Sequence, residues 1–172
     1  MTNPEISKSI VAAGIKTNYH DCGEGPVVFL IHGSGPGVTA YANWRLTIPA
    51  LSESFRVIAP DMVGFGYTDR PEGFEYTMEN WVKHIIGLMD ALEIKKAHIV
   101  GNSFGGGLAI AAAIAYPNRI DRMILMGAAG TKFEITDGLN EVWGYEPSVA
   151  NMRKMMDLFA YDRTLVTDEL AE

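Results

Sequence analysis

The chain has 172 residues, one cysteine and a formal net charge of −7 at pH 7, with 48% hydrophobic and 20% charged residues. That length supports one domain with a real core, and the composition lies in the globular range. The acidic balance argues against nucleic acid or an anionic membrane as partner. The single Cys22 excludes an intrachain disulfide and fits a reducing cytoplasm.

The first eight residues contain neither a basic n-region nor an apolar h-region, so no signal peptide is expected. Residues 5–13 and 15–21 read as two strands about Gly14, a hairpin. Residues 26–31, Pro-Val-Val-Phe-Leu-Ile, form a continuous β-branched and aromatic run that suits a central strand covered on both faces. A turn-rich loop follows, His32-Gly33-Ser34-Gly35-Pro36-Gly37. Asn43 to Glu53 reads as a helix that Pro49 interrupts. Phe55 to Pro60 is the next strand and ends at Asp61. Thr77 is placed to cap a helix from Met78 to Leu92, with Trp81, Ile85, Leu88, Met89 and Leu92 along one face.

Residues 95–100 are a short apolar strand, and residues 106–116 a helix pattern closed by Pro117. Between them stands Gly101-Asn102-Ser103-Phe104-Gly105, a G-x-S-x-G pentapeptide in strand–turn–helix context. A serine on so sharp a turn sits at strained backbone angles, and a Cβ on either flank would collide with the neighbouring strand or helix. The turn lifts the Ser103 hydroxyl clear of the sheet and aims the Phe104 N–H toward the carbonyl under attack. The stretch Gly105 to Ala115 is too short to span a membrane and reads as a buried core helix. Arg119 to Met126 is another strand. Residues 131–147 read as irregular, and Ser148 could cap a helix from Val149 to Ala160 whose Met152, Met155, Met156 and Phe159 stripe suits core packing.

Strands alternating with helices give an α/β fold with a mostly parallel, doubly wound sheet. Ligands bind such sheets at the carboxyl ends of the strands. The His32-Gly33-Ser34 loop, Asp61, Ser103 and residues 127–130 all lie at such ends and should converge. No repeat or low-complexity segment is present. No histidine and carboxylate show metal-ligand spacing, and no cofactor is expected.

The hexapeptide from His32, then Asn43, Asp61, Gly64-Phe65-Gly66 and the run from Gly101 to Gly107 resemble the α/β-hydrolase fold. More narrowly they resemble the meta-cleavage-product hydrolases of aromatic degradation, and among these the alkylbenzene-pathway enzymes. The likeness runs over the whole chain. The elbow marks the superfamily; Pro36 in the hexapeptide, Asn43, and asparagine just before Ser103 mark the narrower family. The resemblance implies hydrolysis of a carbon–carbon bond in a 2-hydroxy-6-oxo-hexa-2,4-dienoate, a small-molecule dienoate substrate. It implies Ser103 as nucleophile, with the backbone N–H groups of Ser34 and Phe104 as the oxyanion hole and Gly33 keeping that loop free of side-chain clash. It implies substrate-binding roles for Gly33, Asn43 and Asn102, although Asn43 would also serve as a helix-start cap and Asn102 as a structural residue. The acyl end of the substrate would lie near Ala129, Leu139 and Trp143; Trp143 would favour small alkyl groups, or serve only as a lid-core aromatic. The histidine matching His32 is structural in the family. His20, His84 and His98 read as ordinary surface or core histidines.

The resemblance divides the chain into an α/β-hydrolase core, residues 1–130, and the beginning of a helical lid, residues 131–172. The triad of this fold runs Ser, Asp, His along the chain. The acid, the base and a lid arginine of the family fall after the lid, so the chain is expected to be a truncated, inactive fragment of a cytoplasmic hydrolase, ending after about six strands. An esterase or other serine hydrolase of the superfamily is the alternative. A non-catalytic binding or assembly module is another, and homo-oligomer formation is left open.

Overall fold

The computed structural model describes residues 3–171. Six strands form one sheet in the order β1-β2-β4-β3-β5-β6. β1 (Lys8–Ala12) and β2 (Ile15–Cys22) form the expected hairpin, tied by a two-residue turn at Ala13 and Gly14 where both φ angles are positive. β2 also pairs antiparallel with β4 (Arg56–Pro60). From β4 onward, through β3 (Val27–Ile31), β5 (Ala97–Asn102) and β6 (Ile120–Met126), every pairing is parallel.

The two faces of the sheet follow from side-chain alternation along its central strands. Phe29, Ile31, Ile58 and Ile99 point to one side. There they pack on Ile85, Leu88 and Met89 of α3 (Met78–Ala91) and on Leu108, Ala109 and Ala112 of α4 (Phe104–Ala115). Val28, Leu30, Val57 and Ala59 point to the other side, onto Ala40 and Trp44 of α1 (Ala40–Trp44) and Ile48 of α2 (Thr47–Leu51). Covered on both faces, these strands read as unbroken apolar runs.

Three expectations are corrected. The helix placed at Asn43 to Glu53 is two short helices, and the first begins at Ala40 with Thr39 as its cap. Pro49 sits in the first turn of α2, where the missing N–H would have had no intrahelical partner. The α4 helix is buried through its first half, but its far end is exposed, with Ile114 facing solvent. Finally, the region 131–147 contains a helix, α5 (Asp137–Trp143), capped by Thr136 Oγ1 on the Leu139 N–H.

Residues 1–130 and 131–172 are two compact units. The second holds α5, α6 (Val149–Phe159, capped by Ser148), a 3-10 turn at Arg163–Leu165 and α7 (Asp168–Ala171). The Met152, Met155, Met156 and Phe159 stripe of α6 is not core: no residue of that helix is buried, and Phe159 is largely exposed. A unit of three short helices lacks the mass to enclose it.

Candidate active site

Ser103 joins β5 to α4 at φ 52° and ψ −111°, a positive-φ conformation that non-glycine residues rarely adopt. The surroundings hold it there. Its N–H donates to the Met126 carbonyl (2.8 Å), and its own carbonyl accepts from Gly106 N (3.0 Å), Gly107 N (3.2 Å) and Ala129 N (3.1 Å). The glycines are required by space. A Cβ on Gly101 would strike the Gly105 backbone, and a Cβ on Gly105 would strike the carbonyls of Ile31 and His32. Ser103 occupies the cap position of α4, yet its hydroxyl makes no cap hydrogen bond. The residue is exposed. Phe104 follows as the first helical residue, so its N–H is one of the orphan donors at the positive end of a 12-residue helix.

β3 delivers the second loop to the same place. A Cβ built on Gly33 would lie 3.3 Å from Asn102 Nδ2 and 3.7 Å from Ser103 Cβ. Asn43 connects the two loops. Its Oδ1 accepts from Gly33 N (3.0 Å) and from Asn102 Nδ2 (3.1 Å). Asn43 lies inside α1 and caps nothing; Thr39 does that, with Oγ1 accepting from Ala42 N (2.9 Å). Asn102 is half-buried.

Behind these loops stands Asp61, fully buried at the end of β4. Its carboxylate accepts from Ala40 N (2.6 Å), Asn18 Nδ2 (2.9 Å) and Tyr67 N (2.8 Å). It therefore ties the start of α1, which carries Asn43, to β2 and to the loop after β4. Placed by the sequence only among the strand-end residues that should converge, Asp61 is a structural hub. Its place at a strand end, just before the Gly64-Phe65-Gly66 turn, was the available signal.

A row of rings supports the elbow. Phe104 meets Trp81 edge-on (4.7 Å) and Phe65 at a tilt (5.5 Å), and Phe65 stands edge-on to His32 (5.1 Å). Trp81 is anchored through Nε1–H to the Val63 carbonyl (2.9 Å). Phe65 was legible only as a turn residue between glycines.

Two of the four histidines are committed to hydrogen bonds through both ring nitrogens. His32 Nε2 accepts from Met62 N (3.0 Å) and its Nδ1 faces the Gly33 carbonyl (2.6 Å). Burial lowers its pKa, against the opposing pulls of the Gly33 carbonyl and Asp61. In α3, His84 Nδ1 accepts from Val63 N (3.3 Å), which leaves the proton on Nε2 to bridge to Thr17 Oγ1 (2.7 Å). Desolvation brings its pKa down to about 4. His20 is buried in β2, its pKa lowered chiefly by desolvation, and His98 lies at the amino end of β5, away from the elbow.

Of the sequence-predicted site residues, Gly33, Asn43, Asn102, Ser103, Phe104 and Ala129 are thus linked around the elbow. Ser34 follows Gly33 directly in the same loop. Leu139 and Trp143 belong to α5 in the other unit, where Trp143 is exposed. Among the described residues no group of three His, Cys, Asp or Glu side chains could hold a metal ion. None of the described helices is long and apolar enough to cross a membrane.

The alpha/beta hydrolase fold family matches residues 26–168. The chain is 62% identical over 170 residues to a 2-hydroxy-6-oxo-2,4-heptadienoate hydrolase of Pseudomonas putida, covering 99% of this chain and 62% of that protein. It is 60% identical over 170 residues to a 2-hydroxymuconate semialdehyde hydrolase of Pseudomonas sp. strain CF600, covering 99% and 60%. Among solved structures it is similar to a meta-cleavage product hydrolase from Pseudomonas fluorescens IP01, crystallised as an S103A mutant with acetates. There the TM-score is 0.95 at 73% identity, covering 98% of this chain and 62% of the other. The chain thus spans about three fifths of the length of the relatives it matches, at 62% and 60% of the two curated proteins. The strained serine turn, the sheet that carries it and the family match lead to one conclusion: the chain belongs to the α/β-hydrolase fold family and, within it, resembles the meta-cleavage-product hydrolases.

Proposed function

We propose that this chain carries the nucleophile and oxyanion hole of a serine hydrolase that cleaves the carbon–carbon bond of 2-hydroxy-6-oxo-hexa-2,4-dienoate ring-cleavage products. The observation that carries the reading is Ser103, held at positive φ with its hydroxyl uncapped, beside a loop and an asparagine pair that face the same point. The dienol ketonises, and Ser103 Oγ attacks the 6-oxo carbon. The resulting oxyanion is received by the N–H groups of Ser34 and Phe104. Each such donor contributes on the order of 10²–10³ in kcat. Collapse expels the dienolate and leaves an acyl-serine, which water hydrolyses to the acid. Asn43 Oδ1 is already occupied by two donors, so its amide N–H groups remain for the substrate carboxylate and 2-oxo group, with Asn102 alongside. In this reading residues 1–130 are the core and residues 131–172 open a lid, with Ala129, Leu139 and Trp143 around the acyl group.

A base for Ser103 is not among the four histidines, whose placements are given above. A serine without a base is a weak nucleophile, so the 172-residue chain by itself is predicted to turn over little dienoate. The test is loss of dienoate absorbance, using the protein from its complete reading frame and, separately, this chain. Turnover in the former that disappears in Ser103→Ala, and exceeds turnover of simple esters, supports the reading. Turnover that survives Ser103→Ala sinks it, and a preference for simple esters replaces the dienoate with an ester substrate. In the same assay Trp143→Ala should raise kcat/KM for a 6-phenyl substrate relative to a 6-isopropyl one; an unchanged ratio removes Trp143 from the pocket.

A further inference from the structure

We propose that His32 is a positioning residue that aims the Ser34 N–H into the oxyanion hole, an inference that rests on the hydrolase reading above. The argument begins with the proton on the imidazole. The Met62 N–H can only donate, so Nε2, at 3.0 Å, must present its lone pair. The proton of the neutral ring is therefore on Nδ1, and Nδ1–H donates to the Gly33 carbonyl at 2.6 Å. His32 is fully buried, so the Gly33 carbonyl is drawn inward.

The Gly33–Ser34 peptide is trans, as is every described peptide bond. In a planar trans peptide the C=O and N–H point in opposite directions. Holding the Gly33 carbonyl toward the buried ring therefore turns the Ser34 N–H the other way, out of the core. Ser103 is exposed, and a Cβ on Gly33 would lie 3.7 Å from the Ser103 Cβ, so an outward Ser34 N–H emerges beside the serine. The preceding peptide is held as well, since Gly33 N–H donates to Asn43 Oδ1 at 3.0 Å. Both peptide groups flanking a glycine are thus tied. Untied, Gly33 would be the softest point of the loop, because glycine rotates freely about φ and ψ.

The ring is itself held in place. Phe65 stands edge-on to His32 and also packs on Phe104, whose N–H is the other oxyanion donor. One aromatic ring, Phe65, therefore braces the supports of both donors. With both nitrogens used, His32 is not the base that its position invites.

The test compares two variants in the protein from its complete reading frame. His32→Phe keeps a ring against Phe65 but removes both hydrogen bonds; His32→Gln retains a donor and an acceptor. His32→Phe should lose about 100-fold in kcat with KM changed less than about threefold, the signature of a lost oxyanion donor. His32→Gln should recover at least about tenfold of that loss. In the same ¹⁵N-labelled protein, His32 should be protonated on Nδ1 at neutral pH, and the Ser34 amide resonance should shift in His32→Phe more than in His32→Gln. A His32→Phe enzyme within about threefold of wild-type kcat overturns the proposal, as does an Nε2-protonated ring or an unmoved Ser34 amide. If His32→Phe fails to fold, the wild-type tautomer and the His32→Gln kinetics decide. Absence of any Ser103-dependent turnover in the wild type would instead overturn the hydrolase reading, and the tautomer and amide measurements would then decide the His32–Ser34 link alone.

Discussion

At the scale of single residues, the buried polar groups of this protein act as ties between elements. His84 joins α3 to β2 through Thr17 and to the loop after β4 through Val63, and it is neutral while it does so. The hydroxyl of Thr17 passes the chain of bonds on to the Ile15 carbonyl (3.1 Å). A second proton on His84 would face the Val63 N–H and break the bridge. The pH dependence follows with a definite sign. Between the unfolded value of 6.5 and the folded value of about 4, the folded chain binds fewer protons than the unfolded one. Its stability is therefore complete above pH 6.5 and falls as pH drops toward 4, by roughly 3 kcal/mol. His20 and His32 are also lowered by burial and act in the same direction. Urea midpoints across pH 7.5 to 4 should show this decline, and His84→Gln should flatten part of it. An equal slope in the variant would remove His84 as a cause.

At the scale of elements, β6 stands apart. Among the described residues it ends the strand order and pairs only with β5, which leaves one edge of its backbone without a strand partner. Of its residues only Ile120 is buried, while Met123, Ile124, Leu125 and Met126 are 40%, 61%, 42% and 47% exposed. Because successive side chains alternate, apolar surface is exposed on both faces of the strand. An open, apolar edge is a template for another strand. The 172-residue chain should therefore self-associate, with light scattering that rises with concentration, and Ile124→Lys should reduce it. A monodisperse monomer with a concentration-independent melt would refute this. The local signals for elements were otherwise well separated. Thr77 and Ser148 cap helices where their spacing predicts. The start of α1 escaped because its cap, Thr39, follows a glycine-rich loop. Asn43, one turn later, looked like the beginning.

At the scale of the molecule, burial is concentrated in residues 1–130. The two apolar clusters that cover the sheet both lie there. In residues 131–172 no side chain of α5 or α6 is buried, and the buried apolar residues are Val166 and Ala171. Helices of 7 and 11 residues gain little from propensity alone, so their stability must come from packing. Hydrogen exchange should therefore separate the units, with slow amides in β3, β4, β5 and α3 and fast ones throughout α5 and α6. Equal protection in both would show that α5 and α6 are as tightly held as the sheet.

The sequence by itself determined the alternating strands and helices, because apolar runs and turn residues are local patterns. It also determined the serine turn, because glycines at 101 and 105 between a strand and a helix leave little else for that pentapeptide to do. The hairpin at Gly14 and the caps of α3 and α6 were legible for the same reason. Three things were decided only by tertiary structure. Asn43, read from sequence as a substrate contact or a helix-start cap, is the bridge between Gly33 and Asn102, because tertiary structure brings residues 33, 43 and 102 together. Asp61 turned from a strand-end residue into a hub, because its three donors come from three separate segments. The methionine stripe of α6 has the period of a core-facing helix, yet period shows only that one face is apolar, and burial depends on whether enough other mass arrives to cover it.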